Sequence, residues 1–334
     1  MTPCEVAARI ADEVLFPAAG AVEAAGVVPI GHLDLFASQG LYGLAAEPPT
    51  DRAATFRIVE TLASGCLATT FVWMQHHGVL RAVADSPLRD RYFGDLRSGR
   101  VRAGTAQGGL RPGPPLLRVS LKDGRSVGDG SVGDGFVLDG EAPWVTGWGL
   151  VDVVLVAARS DDDLCHWFLL DAVPTAGLSV QPLDLIAVTS SRTVHMRFTG
   201  YPVPADRLVW TLPFAEWPER DAAGLRGNGS LALGVAARCV RLLAAFDAGL
   251  AAALSSTVET VRSELDRAGP ADLPVARASA SALAMRCATA LAVATGARSV
   301  LAGQDAERLL REAAFLQVFG SRPAIRAELL RRLA

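Results

Sequence analysis

Cysteine is sparse and poorly placed for either of its structural uses. The five residues Cys4, Cys66, Cys165, Cys239 and Cys287 are odd in number and widely separated. No pair has metal-ligand spacing and no disulfide framework is implied, so free thiols in a reducing, cytoplasmic compartment are expected. Net charge is as slight, −3 over 334 residues, which leaves no electrostatic footprint for a nucleic-acid partner. The start, Met1-Thr2-Pro3-Cys4-Glu5, lacks the basic residues and apolar stretch of a secretion signal. Apolar runs such as 231–243 are interrupted by Arg238 and Arg241, so no membrane span is expected. Only 20% of residues are charged and 50% are hydrophobic, enough for a large core without metal or disulfide support.

What is present divides by character. Residues 4–95 are rich in Ala and Leu with polar positions at helical spacing, broken at Val28-Pro29 and Glu47-Pro48-Pro49-Thr50. Thr50-Asp51-Arg52 suits a cap for the helix carrying Phe56, Ile58, Val59 and Leu62. The nearly uncharged run 62–79 reads as one helix, apolar on every side and therefore central in a bundle. His76 and His77 end it. Either could carry a proton at a pocket floor, or simply be bonded at a helix end.

From about 101 to 209, glycine, proline and β-branched residues rise and alternating runs appear at 116–121, 136–138, 151–157, 167–170, 178–182 and 193–198. An antiparallel β domain, a small barrel or sandwich, is predicted. Ser126–Gly130 is repeated at once as Ser131–Gly135, a loop lengthened by duplication. After Pro213 helical patterns return over 231–247, 250–267, 275–302, 306–318 and 323–333. The fold class predicted is α+β multidomain: an N-terminal helical domain (1–98), a middle antiparallel β-barrel (99–212) and a C-terminal helical bundle (213–334). The two helical parts could pack as one bundle interrupted by the β insertion.

One stretch stands out chemically: Asp139-Gly140-Glu141-Ala142-Pro143-Trp144-Val145-Thr146-Gly147-Trp148-Gly149. Phe136-Val137-Leu138 reads as a strand reaching a turn at Gly140. Two indoles then flank a hydroxyl before a β-branched run fit for a buried strand. Rigid aromatic surface beside a hydroxyl and exposed peptide groups suits a flat heteroaromatic cofactor. The competing reading makes Trp144 and Trp148 ordinary core residues.

This order of segments, with these motifs, resembles the acyl-CoA dehydrogenase superfamily over nearly the whole chain. Residues 139–147 are similar to that family's glycine-x-lysine-x-tryptophan-isoleucine-threonine signature. Ser190–Phe198 and Val203-Pro204-Ala205-Asp206-Arg207-Leu208 look like the run leading out of its β domain. Leu233-Gly234-Val235-Ala236 and Ala306–Ala313 look like two of its C-terminal helix motifs. The resemblance implies an N-terminal helical domain, a β-barrel and a C-terminal four-helix bundle, assembled as a homodimer or homotetramer. It also implies FAD with its flavin between barrel and C-terminal helices. By position, Trp144 and Thr146 would flank the ring, Thr105 and Ala106 would meet its pyrimidine edge, and Ser191 and Thr193 would line the wall. A reduced flavin needs donors at that edge, which hydroxyls and amides can supply.

The sequence departs from the family at its catalytic base. The tyrosine-glutamate-glycine-threonine turn corresponds to Val318-Phe319-Gly320-Ser321, so Phe319 replaces the glutamate. A second position for the base falls near Gly224, where the nearest carboxylates are Glu219 and Asp221. The arginine-phenylalanine-glycine element for the FAD pyrophosphate is also missing. Arg262, Arg267, Arg298, Arg322 and Arg326 are candidate substitutes, or plain surface arginines. Three functions follow. The first is FAD-dependent desaturation of an acyl thioester, a small molecule on coenzyme A or a chain on a carrier protein. The second is flavin monooxygenation on the same scaffold, with His76, His77 or His195 as acid or base. The third is a redox-inactive homologue using its cavity for binding or rearrangement.

Overall fold

The computed structural model describes residues 2–46, 52–110, 113–122, 135–222 and 224–333. The breaker at 47–50, the Thr50-Asp51 cap and the repeated pentapeptide up to Asp134 lie outside them. Among the described residues six α-helices come first: α1 (Pro3–Ile10), α2 (Phe16–Ala25), α3 (Ile30–Ser38), α4 (Arg52–Gly65), α5 (Leu67–Ala84) and α6 (Arg89–Ser98). Helix α1 starts in a capping box. The Thr2 amide donates to the Glu5 carboxylate at 2.7 Å and the Glu5 amide to the Thr2 hydroxyl at 3.3 Å. The run 62–79, expected as a single helix, is interrupted at Cys66, whose backbone is extended (φ −149, ψ 112). The break occurs where Gly65 presses on the first helices: a Cβ there would sit 2.8 Å from the Ala11 carbonyl oxygen.

The strands are β1 (Ala103–Ala106), β2 (Leu117–Leu121), β3 (Phe136–Val145), β4 (Val153–Arg159), β5 (Leu164–Asp171), β6 (Leu178–Pro182), β7 (Val194–Val203) and β8 (Leu208–Pro213). They form one sheet in the order β6-β7-β3-β2-β4-β5-β8, with β1 beside β4. This corrects the antiparallel barrel. The sheet is mixed, because β1 and β2 run parallel to β4, and it is not closed, because β6 and β8 end the order unpaired with each other. Strands β4 and β5 are buried on both faces. One face packs on β3 and β7; the other lies under Val79, Leu80 and Val83 of α5 and Leu96 of α6. Burial on both sides is why 153–158 is continuously apolar rather than alternating.

Among the described residues six further α-helices follow: α7 (Trp217–Ala222), α8 (Leu225–Leu243), α9 (Ala248–Arg267), α10 (Leu273–Thr295), α11 (Asp305–Val318) and α12 (Pro323–Leu333). By length and composition the stretch Leu273–Val300 could cross a membrane. Here its Ala280, Leu283, Ala284, Cys287 and Leu291 are buried in the protein core. That core is continuous through α1, α2, α4 and α5 and through α8, α9, α10 and α11, so the two helical ends of the chain share one interior. Helices α4 and α8 meet closely at Gly234, where a Cβ would lie 2.4 Å from the Glu60 carbonyl oxygen. The Glu60 carboxylate, buried in the same seam, accepts from Arg262 Nε at 2.5 Å and Arg226 Nη2 at 3.3 Å.

Candidate functional site

The indole-bearing stretch is a bulged strand, not a turn. β3 continues through Gly140, which pairs with both Leu117 and Phe198, although the register with β7 already shifts once between Leu138 and Gly140. Its φ of 121° and the Leu116 oxygen, 2.1 Å from where a Cβ would be, restrict the position to glycine. Three residues on, the register with β7 slips from Ala142↔Met196 to Val145↔Val194. Pro143 and Trp144 therefore oppose the single residue His195. Trp144 takes a left-handed backbone, φ 63°, which is costly for a bulky residue. It is 56% exposed, whereas the other tryptophans among the described residues are buried or half-buried. Trp148 instead packs partly buried against the sheet core.

Behind the exposed indole lies a set of hydroxyls. Thr146 Oγ1 is 3.2 Å from Thr193 Oγ1, which is 2.8 Å from Ser191 Oγ. All three residues are buried. Three hydroxyls joined by two bonds leave one proton free to donate beyond the chain. The segment 188–193 is fastened to the corner through its backbone. Gly147 N donates to Ser191 O at 2.9 Å and Trp148 N to Arg192 O at 3.1 Å. Val188 and Arg192 are themselves left-handed, at φ 52° and 53°. The Arg192 side chain is exposed and makes no ion pair or hydrogen bond among the described residues. On the other side, β1 abuts the corner: a Cβ on Gly104 would lie 3.0 Å from Thr146 O. The Thr105 hydroxyl donates to Gln75 Oε1 of α5 at 2.9 Å, and Ala106 is buried in the sheet.

The remaining candidates separate. His76 is committed at both nitrogens. Its Nε2 is 3.0 Å from Leu96 O and its Nδ1 accepts from Ala103 N at 3.2 Å. These partners assign the neutral tautomer with the proton on Nε2, and burial pushes its pKa down to about 4. It pins α5 to α6 and β1, with no nitrogen left for proton transfer. His77, also buried, has neither nitrogen bonded, and burial followed by its histidine neighbour holds it well below the usual range. Glu219 points to solvent, whereas Asp221 is gripped by Arg322 through Nε and, at 2.6 Å, Nη2. That pair brings Asp221 beside the turn that carries Phe319. Arg262 is occupied by Glu60 and Glu259. Arg267 and Arg298 are exposed and bonded to Ser263 O and Gln304, and Arg326 is exposed.

Two groupings were not visible in the sequence, although His195 and Phe319 were each singled out there. His195 Nε2 lies 3.1 Å from a Glu141 oxygen without an aligned hydrogen bond, and Arg197 grips the same carboxylate at 2.5 Å. His195 and Arg197 line a cleft of about 140 Å³ with Ser179, Val180 and Gln181 on β6 and β7. Only the strand register, invisible in one sequence, aligns them. The second group is a trio of phenylalanines, Phe71, Phe315 and Phe319, whose separation along the chain conceals it.

A flavin needs a flat platform, a donor toward its polar edge and cationic groups for its phosphates. The Trp144 indole, the leftover hydroxyl proton and Arg192 meet these requirements within one corner, so the residues present fit such a group.

No family model matches the sequence, and no curated protein does. Solved structures match over nearly the full length. Butyryl-CoA dehydrogenase from Megasphaera elsdenii aligns with a TM-score of 0.82 at 17% identity, covering 98% of this chain and 95% of that one. A glutaryl-CoA dehydrogenase from Mycobacterium smegmatis in complex with FADH2 gives 0.81 at 14%, covering 99% and 93%. FkbI, for biosynthesis of the methoxymalonyl extender unit of the polyketide Fk520, gives 0.78 at 18%, covering 98% of both.

Proposed function

We propose that this chain, which has the acyl-CoA dehydrogenase fold, is a flavin-dependent oxidoreductase acting on an acyl thioester. The observation that carries the reading is Trp144, a costly left-handed tryptophan whose indole the protein leaves 56% exposed. Strain at a non-glycine residue persists where something else is gained, and an uncovered rigid platform is such a gain. Bound FAD would supply the electron-accepting ring. Trp144 would support it from one face. The Thr146–Thr193–Ser191 chain would offer its remaining proton toward the ring's polar edge, and Arg192 would meet negative charge nearby. Thr105, held by Gln75, would border the site from β1. A homodimer or homotetramer is the assembly we favour.

Desaturation also requires a base within reach of the substrate's α-proton. Asp221 is the better placed of the two candidate carboxylates, beside the Phe319 turn, but it is engaged by Arg322. That engagement, with Phe319 in the base's usual place, favours a second reading: oxygen-dependent flavin chemistry that needs no thioester base. The tests separate these. Purified protein should be yellow with a flavin spectrum. Anaerobic addition of acyl-CoA should bleach it if it is a dehydrogenase. Oxygen consumption driven by a flavin reductase, without such bleaching, would support the second reading. Protein that stays colourless after incubation with FAD would overturn both and leave a cofactor-free pocket.

A further inference from the structure

Helix α5 and strand β1 are joined by one polar contact beside the indole corner. Thr105 Oγ1 of β1 lies 2.9 Å from Gln75 Oε1 of α5, and Gln75 Nε2 donates to the Phe71 carbonyl, one turn back, at 3.3 Å. Both side chains remain partly exposed. Each stands next to a residue that touches the corner. A Cβ on Gly104, which precedes Thr105, would lie 3.0 Å from the Thr146 carbonyl oxygen. Val72, almost one turn before Gln75, lies 3.5 Å from where a Cβ on Gly147 would be.

The contact fixes the direction of its protons. The Phe71 carbonyl can only accept, so the NH2 of Gln75 faces it and Oε1 faces Thr105. A hydroxyl opposite a carbonyl oxygen must donate. The single Thr105 proton is therefore committed to Gln75, and the side chain makes no other hydrogen bond among the described residues. What the Thr105 oxygen has left is lone pairs. The hydroxyl chain on the other side of the corner has the opposite polarity. Thr146, Thr193 and Ser191 keep one proton to give, whereas Thr105 keeps none and can only accept. With an apolar residue in place of Gln75 the Thr105 hydroxyl would be free to turn, and its polarity would be undefined.

A ligand held by both groups must offer an N–H or O–H on one side and an acceptor on the other. The pyrimidine edge of a flavin does so: its one N–H, N3–H, stands between two carbonyl oxygens. We propose that Gln75 is a positioning residue, holding the Thr105 hydroxyl as the acceptor for the flavin N3–H. The inference rests on the flavin reading and does not depend on which substrate the site takes.

The test is a proton–nitrogen correlation NMR spectrum of the protein reconstituted with nitrogen-labelled FAD, recorded alongside a calorimetric titration of the flavin-free protein with FAD. In wild type the N3–H proton should lie downfield of its position in free FAD and exchange slowly with water. Gln75→Leu and Thr105→Val should each return it toward the free position and weaken FAD binding roughly two- to tenfold, as for one neutral hydrogen bond. Thr105→Ser keeps a hydroxyl for Gln75 to hold and should keep the wild-type signal. A merely structural role for Gln75 would weaken binding without moving that signal. Both side chains are partly exposed, so the variants should fold; if Gln75→Leu does not, Gln75→Met carries the comparison. A wild-type N3–H at the free position, or one unmoved by loss of the Gln75 carboxamide in a folded variant, overturns the inference and leaves the flavin reading standing. Failure of wild type to take up FAD overturns both.

Discussion

His76 Nε2 donates to the carbonyl of Leu96 across 3.0 Å while its Nδ1 accepts from Ala103 N. One imidazole thus ties the middle of α5 to the end of α6 and the start of β1. Protonation would remove the acceptor and place an uncompensated charge in the interior. Burial accordingly lowers its pKa to about 4, and does the same to His166. The unfolded chain binds these protons nearer pH 6.5 and the folded chain does not, so stability is complete above about 6.5 and falls as the pH drops toward 4. For His76 alone the loss is on the order of 3 kcal/mol. Melting temperatures between pH 7.5 and 4.5 should show the decline. The His76→Gln variant, less stable at pH 7, should decline less steeply; a parallel decline would contradict this account.

Trp144→Gly should separate folding from function. Glycine occupies φ 63° without steric cost, whereas tryptophan in the left-handed region forgoes roughly 1–2 kcal/mol. Little packing is lost from a side chain already 56% exposed. The melting temperature of the flavin-free protein should hold or rise, and flavin retention after gel filtration should collapse. Retention equal to wild type would remove the indole from the binding site.

Glu60 carries two buried arginines, Arg226 and Arg262, in the α4–α8–α9 seam. Glu60→Ala removes the one buried carboxylate of the seam and leaves each guanidinium only a more exposed partner, Asp266 for Arg226 and Glu259 for Arg262. Breaking a buried pair in this way costs about 3–5 kcal/mol. Denaturant unfolding should show a loss of that size, and Asp266, which also holds Arg226 at 2.6 Å, should keep the loss from exceeding it.

Gly234→Ala tests the same seam sterically. The new methyl would meet the Glu60 carbonyl oxygen at 2.4 Å and the Ala63 Cβ at 2.7 Å. Neither is a flexible chain end, so α4 and α8 must separate. The gain in helix propensity, about 1 kcal/mol, is outweighed by overpacking of about 1–3 kcal/mol or more. A net rise in the urea midpoint would show that the helices are less tightly joined than described.

The sequence by itself determined most of where the chain is helical and where it is extended, though not β1 or β8, nor the end of α10 at Thr295. Those properties follow from side-chain period and composition, which are local. Hence 178–182 is the strand β6 as read, and 306–318 and 323–333 lie in α11 and α12. Only the tertiary structure decided the features set by contact between distant segments. The apolar run at 62–79 gave no sign of a break at Cys66, because the cause is the approach of Ala11 to Gly65. Gly140 read as a turn because its glycine requirement comes from Leu116, just ahead of the neighbouring strand β2. The open, mixed order of the sheet depends on β1 lying alongside β4, a pairing that four short residues do not announce. At the candidate site, the sequence offered Trp144, Thr146, Ser191 and Thr193 as separate residues. Their joining into one exposed platform with a buried hydroxyl chain behind it required a register slip between β3 and β7, and register is fixed by packing rather than by either strand alone.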